Sequence, residues 1–184
     1  MRLFIAVFLS DEVKAELQGL QEQIRSQSYK GSFTRPENLH LTLAFLGETP
    51  EEKLKLLYPI IQEIKSPAFE ISFNRMGCFT HSQKELWWIG ADPNGPKLSL
   101  LRSVHQQLID RLIKEGFPVD KRPFNAHITL GREIRHTEPI VLDCRELKVK
   151  VDRISLVKSE RIAGVLTYTE IYGQDCLEPG SVSC

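Results

Sequence analysis

Seven residues, RLFIAVF at positions 2–8, are almost wholly apolar and too few for a helix, the pattern of a strand covered on both faces. Ser10 then offers an N-cap, Asp11 and Glu12 suit a first helical turn, and Val13, Leu17, Leu20 and Ile24 recur at helical spacing. Over residues 39–47 the period becomes two: Leu39, Leu41, Leu43 and Phe45 point to a core, and His40, Thr42 and Ala44 point away from it. Thr49-Pro50-Glu51-Glu52 reads as a capping box opening a helix with Leu54, Leu57, Ile61 and Ile64 inward and a kink at Pro59. Phe69, Ile71 and Phe73 alternate as a strand, with 85–91 as its hairpin partner across a loop around His81. A third helix over 97–115 buries Leu101, Val104, Leu108 and Leu112 and stops at Gly116. Leu147, Val149 and Val151 alternate, but the parity moves to Ile154 and Leu156, which predicts a bulge or break at Asp152. A last strand spans 165–172, and the tail from Gln174 reads as frayed. The pattern amounts to about three helices and seven or eight strands, with no linker dividing residues 1–184, hence one domain.

Composition narrows the class. Lysine plus arginine and aspartate plus glutamate both total 24, so the formal net charge is zero. Proteins that coat long nucleic acids carry a basic excess, so a nucleic-acid substrate here is one gripped locally, at an end or over a few nucleotides. No apolar run approaches the ~20 residues of a membrane span, acidic residues follow the first apolar run directly, and a cytoplasmic location is the default. Cys78, Cys144, Cys176 and Cys184 are scattered without the close pairs of zinc or redox sites and read as free thiols.

The chain writes one phrase twice: RPENLHLTL from Arg35 and RPFNAHITL from Arg122. The offset is constant, 127 − 40 and 129 − 42 both giving 87. In each copy a strand places the histidine and threonine on one face (His40 with Thr42, His127 with Thr129) and the intervening apolar residues on the other. If a pseudo-two-fold axis relates the copies, two imidazoles oppose each other over one groove with a hydroxyl beside each. That set suits phosphoryl chemistry without a metal: one imidazole takes a proton from the attacking oxygen, the other protonates the leaving oxygen, and the hydroxyls donate to phosphate oxygens. A binding module would not need two proton-transfer groups, and no H-x-x-x-H or carboxylate cluster accompanies the histidines as a zinc site would require.

NLHLTLAFLGE around the first copy and RPFNAHITLGR around the second resemble the two-histidine phosphoesterase superfamily, and within it the RNA 2′,3′-cyclic phosphodiesterases, also called 2′-5′ RNA ligases. RLFIAV at the start, and LVKS (156–159) with Tyr168, resemble the family's first and C-terminal strands. The resemblance implies an α+β, bilobal fold: two antiparallel sheets related by pseudo-two-fold symmetry, helices outside, a central groove between. It implies opening of RNA 2′,3′-cyclic phosphate ends to 2′-phosphates with no cofactor and no metal. The alternative is 2′-5′ ligation or hydrolysis on tRNA halves or oligoadenylates. Its partners would be RNA ends or short oligonucleotides, and monomer is the default state. Carried over residue by residue, it makes His40 and His127 the acid–base pair, with either in either role. Thr42, Thr129 and Arg132 would bind phosphate. Arg132 falls on the Leu130 side by strict alternation and reaches the groove only through a bulge near Gly131; its counterpart in the first copy, Phe45, reads as core. Phe4 could stack on a base or pack in the core, and at most one of Trp87 and Trp88 can line the groove, with packing expected of both. Arg35 and Arg122 read as solvated or steering charges, and His81, His105 and His136 as structural or exposed.

Overall fold

The computed structural model describes residues 1–82, 84–120 and 122–178. In chain order it forms β1 (Arg2–Phe8), α1 (Asp11–Ser26), β2 (Lys30–Phe33), β3 (His40–Glu48), α2 (Leu54–Gln62), β4 (Phe69–His81) and β5 (Lys84–Ala91). α3 (Leu98–Lys114), β6 (His127–Arg135), β7 (Leu147–Val151), β8 (Arg153–Ile162) and β9 (Val165–Asp175) complete it. The strands lie in the order β7-β4-β5-β6-β3-β1-β8-β9, with β2 added to β6. Two antiparallel halves, β6-β5-β4-β7 and β3-β1-β8-β9, meet edge to edge where Leu41 of β3 pairs with Ile128 of β6. Both seam residues are fully buried.

The repeat is architectural as well as chemical. An offset of 87 carries both ends of β3 onto those of β6, and the first residue of α1 onto the first of α3. α1 and α3 are exchanged between halves: α1 packs on β6 and β7, whereas α3 packs on β3; α2 stays with its own half, on β8 and β9. The first helix of each repeat therefore covers the sheet that carries the other's histidine. The main core lies between helices and sheet, with Leu3, Ile5 and Val7 of β1 inside it. Phe4 and Ala6, on the opposite face of β1, form a smaller cluster with Val157 against which Phe8 and Tyr168 pack. This two-sided burial is what an unbroken apolar strand requires.

Most elements stand where the pattern put them. Ser10 caps α1 by accepting from the Val13 amide, Gly116 follows α3 with φ +71°, and the chain breaks at Asp152. Four details differ. Thr49 does not cap a helix: its amide donates to Met1 O, its carbonyl accepts from the Met1 ammonium, and it is buried at the end of the β1/β3 pairing, so a 3₁₀ turn at Glu51–Lys53 opens α2 instead. β2, KGSF, has too little apolar character to register as a strand and exists because β6 needs an edge partner. β4 continues to His81 as an exposed hairpin arm where a loop was expected. Gln174 and Asp175 belong to β9, where Arg153 clamps Asp175 and Glu170, and Leu177 bridges Pro67; residues 179–184, including Cys184, lie outside the described residues. Cys78, Cys144 and Cys176 are free thiols. Among the described residues no helix is long and apolar enough to cross a membrane.

Candidate active site

Each histidine is the first residue of its strand, and the asparagine two positions earlier fixes it. Asn38 O accepts from His40 Nδ1 at 2.7 Å, and Asn125 O accepts from His127 Nδ1 at 2.7 Å. A carbonyl can only accept, so both rings carry their proton on Nδ1 and turn a basic Nε2 to the groove. The asparagine of R-P-x-N-x-H thus acts through its backbone, while its side chain is tied elsewhere: Asn38 Nδ2 donates to Leu166 O, and Asn125 Oδ1 accepts from Arg75. Antiparallel pairing at Leu41 and Ile128, continued one residue either way, sets Thr42 beside His127 and Thr129 beside His40. The pseudo-two-fold axis passes between the seam residues.

A groove of about 690 Å³ opens over this seam and is lined by His40, His127, Thr42 and Thr129. Arg2, Arg35, Arg132 and Arg161 also line it, and among the described residues no carboxylate does. A chain with zero net charge therefore concentrates positive potential in one place, the electrostatics of an anion site. Arg35 is partly neutralised by Glu37. Among the described residues Arg132 has no carboxylate partner.

Arg132 reaches the groove through the bulge its placement required. The β5/β6 register jumps from Trp87↔Gly131 to Trp88↔Thr129, leaving Leu130 unpaired with β5. The freed Leu130 carbonyl accepts from the Thr34 amide and from Gln21 Nε2 of α1, whose side chain also donates to Thr34 O. The first copy bulges at the equivalent residue: β1/β3 pairing jumps from Ile5↔Ala44 to Ala6↔Thr42, skipping Leu43. That overturns the placement of Phe45 in the core. It is 49% exposed and lines the groove, with the Arg2 guanidinium 5.1 Å above its ring. A strict period of two misplaces both residues because the bulge is part of the repeat.

Aromatic rings hold each imidazole. Phe4 and Tyr168 lie 4.8 and 5.2 Å from His40, centroid to centroid, and Phe79 and Trp88 lie 5.7 and 6.0 Å from His127. Phe4 is only 3% exposed, so its ring supports His40 from below. Trp88 lies across Gly77 and Gly90, where a Cβ would come within 2.4 and 2.7 Å of its ring. Trp87 faces the other way, donating to Glu85, which also pairs with His136. His105 stacks on Phe124, Arg122 pairs with Asp120, and His81 is exposed at the end of β4. The asparagine carbonyls, Gln21 and Tyr168 are the supporting parts that sequence reasoning left without a role; the repeated Asn-x-His was the visible trace of the first, and Tyr168 entered only through the resemblance of the C-terminal strands.

Burial lowers the pKa of both histidines, most of all through lost solvation. The asparagine carbonyls oppose that shift, while the Arg132 charge adds to it in both rings and His127 adds to it at His40. Two neutral imidazoles, two hydroxyls and an unpaired guanidinium over one polar groove can move protons to and from a bound phosphate. Among the described residues no group of three or more His, Cys, Asp or Glu side chains is arranged to hold a metal ion.

The fold and its paired half-sites define a two-histidine phosphoesterase. A model of the LigT-like phosphoesterases matches residues 7–88 and 93–167, and the chain belongs to that family. It is 36% identical over 144 residues to an RNA 2′,3′-cyclic phosphodiesterase of Archaeoglobus fulgidus, covering 78% of each chain. It superposes on crystal structures of Escherichia coli LigT in apo form (TM-score 0.80, 26% identity, 96% of this chain and 98% of that one) and complexed with 3′-AMP (TM-score 0.75, 26% identity, 95% of this chain and 96% of that one).

Proposed function

We propose that the protein hydrolyses RNA 2′,3′-cyclic phosphate ends to 2′-phosphates, with His40 and His127 as its acid–base pair and no metal. One observation carries this reading: two imidazoles, each pinned through Nδ1 to an asparagine carbonyl, present Nε2 to one arginine-lined groove. The similarity to RNA 2′,3′-cyclic phosphodiesterases, and to a LigT structure holding 3′-AMP, supports the substrate class.

Water attacks phosphorus while the neutral Nε2 of one histidine takes its proton, forming the new P–O bond. The bond from phosphorus to O3′ breaks, and O3′ takes the proton from Nε2–H of the other histidine. The products are a 2′-phosphate and a 3′-hydroxyl, and the two histidines exchange protons with solvent to reset. Thr42, Thr129 and Arg132 donate to the non-bridging oxygens as charge grows there. Phe4 positions His40 by filling the space beneath its ring.

The test is turnover of a cyclic-phosphate-ended oligonucleotide in excess EDTA, with the product's phosphate located by phosphorus NMR. Wild type should give the 2′-phosphate, and His40→Ala and His127→Ala should each lose about 10²–10⁴-fold in kcat. Retained activity in either variant, or loss of wild-type activity to EDTA, would falsify the mechanism. Turnover confined to 2′-5′-linked oligonucleotides would move the substrate to the ligase side of the family.

A further inference from the structure

Two supports of His127, the Asn125 carbonyl on Nδ1 and the Trp88 ring beside it, lead to one side chain outside the groove, Arg75 of β4. The strand register puts the two residues in line: Arg75 pairs with Gly90 of β5, and Gly90 pairs with His127 of β6. Two strand spacings, about 10 Å of sheet, separate their backbones. A bulge turns Arg75 to this face. The β4/β5 register jumps from Phe73↔Ala91 to Arg75↔Gly90, skipping Asn74, so that Phe73 is fully buried in the core while Arg75 is exposed. Gly90 leaves the space between them open: a Cβ there would lie 2.7 Å from the Trp88 ring and 3.4 Å from Arg75 Nε. Across that gap the guanidinium sits 5.4 Å from the centroid of the Trp88 ring, and Nη2 donates to Asn125 Oδ1 at 3.1 Å. Among the described residues no carboxylate pairs with Arg75.

The first half-site holds its asparagine without such help. Asn38 is buried, ends a 3₁₀ turn over Pro36–Asn38, and donates its side-chain amide to a backbone oxygen, Leu166 O. Asn125 is half-buried in residues 123–126, which carry no regular structure, and the nearest backbone tie is the Ala91 amide on Ala126 O. We infer that Arg75 is a positioning residue for His127: by holding the Asn125 side chain and the Trp88 ring, it keeps the Asn125 carbonyl on Nδ1 and Nε2 turned to the groove. On the hydrolytic reading, on which this rests, both roles open to His127 need that carbonyl. A base must be neutral with its proton on Nδ1, and an acid needs an acceptor for Nδ1–H while Nε2–H faces O3′. Arg75 does not itself line the groove, so its effect on the substrate passes through His127.

Nitrogen NMR of the two imidazoles in the free protein, at a pH where both are neutral, tests this without turnover. Hydrolysis of a cyclic-phosphate-ended oligonucleotide is measured alongside for Arg75→Met, Asn125→Ala and the double variant. Arg75→Met keeps the stem and removes the guanidinium, and Asn125→Ala removes Oδ1 and leaves the carbonyl. Wild type should show both rings as the Nδ1–H tautomer. Each variant should turn His127 into a mixture of Nδ1–H and Nε2–H forms and leave His40 unchanged. It should also lower kcat about 10-fold with KM unmoved, less than the ~10²-fold that a 1 Å misplacement costs, because the Ala126 contact persists. The double variant should lose no more than Arg75→Met alone, since the two residues act along one path. An unmixed His127 in Arg75→Met, an equal change at His40, a loss confined to KM, or losses that multiply in the double variant would each overturn the role. A mixed tautomer in a protein that turns over no cyclic-ended RNA would support the positioning of His127 and count against hydrolysis. Wild-type turnover with an unmixed His127 in Arg75→Met would do the reverse.

Discussion

The two half-sites begin alike and end differently. Both pin a histidine through an Asn-x-His backbone contact, and both bulge at the same place in the repeat, at Leu43 and Leu130. Five residues beyond each histidine the bulge turns a side chain into the groove, and there the copies diverge into Phe45 and Arg132. A duplicated scaffold thus supplies two identical proton carriers but one apolar platform and one charge. The reaction needs two proton transfers of opposite direction, so symmetry serves the histidines. The substrate is lopsided, an anion next to a base, and at the fifth position the symmetry is given up.

Substitution of Arg132 breaks this division most severely. Arg132→Met should lower kcat/KM by about 10²–10³-fold, the loss seen when a donor to developing oxyanion charge is removed. Phe45→Met should cost far less, since Phe45 meets no reacting atom. The same variant moves the pH profile in a stated direction. Arg132 is among the causes that hold both histidine pKa values below 6.5, so the acid partner loses its proton early and wild-type kcat/KM should fall above a maximum on the acid side of 6.5. Without that positive charge both values rise, and the residual activity of Arg132→Met should peak at higher pH. An unmoved profile would show that Arg132 does not act on the histidines electrostatically.

A smaller effect is expected from Gln21, which supports the charged half only. Its amide donates to Thr34 O and Leu130 O at 2.7 Å each, where the bulge leaves Leu130 unpaired with β5. Gln21→Leu keeps the bulk but removes both donated bonds, leaving Thr34 O short while Leu130 O keeps the Thr34 amide, and should cost about 1–3 kcal/mol in urea unfolding, the usual price of an acceptor left without its partner. Because Arg132 lies two residues beyond Leu130, the variant should also lose activity on cyclic ends. A change in stability with no change in kcat/KM would separate the bulge from the site.

How far the sequence showed this follows from what a local pattern can carry. The repeat revealed both histidines, both threonines and the two halves, because strand alternation and an offset are written in the residues themselves. Phe45 was misplaced because a bulge is a property of pairing with β1, and nothing in LHLTLAFLG shows that Leu43 will be skipped. Arg132 could be placed only conditionally for the same reason. Gln21 sits on the buried stripe of α1, between Leu17 and Ile24, and looks like an interruption until the exchanged helix is seen to reach β6. β2 was invisible because its register comes wholly from its partner. Chemistry carried by side chains was legible; support carried by backbone carbonyls and by contacts between the halves was not.

The finest difference between the half-sites is one hydrogen bond. His40 Nε2 lies 2.9 Å from Thr42 Oγ1, and with Nδ1–H committed to Asn38 the hydroxyl must be the donor. Among the described residues His127 Nε2 has no such partner. Donation to Nε2 stabilises the neutral ring, so Thr42→Val should raise the His40 pKa by a fraction of a unit and leave His127 in place, while Thr129→Val should move neither in the free protein. The stability profile should follow. A histidine with a lowered folded pKa binds its proton better when unfolded, so it costs nothing above 6.5 and destabilises the fold as pH falls from 6.5 toward the folded value. Raising the His40 pKa shortens that window, and Thr42→Val should lose less stability than wild type between pH 7 and pH 5, whatever it loses at pH 7. Proton NMR titration of the two imidazoles, alongside urea melts at the two pH values, reads both effects. Equal shifts from the two threonine variants would mean that the hydrogen bond at His40 does not distinguish the half-sites, and that their difference begins only at the fifth residue.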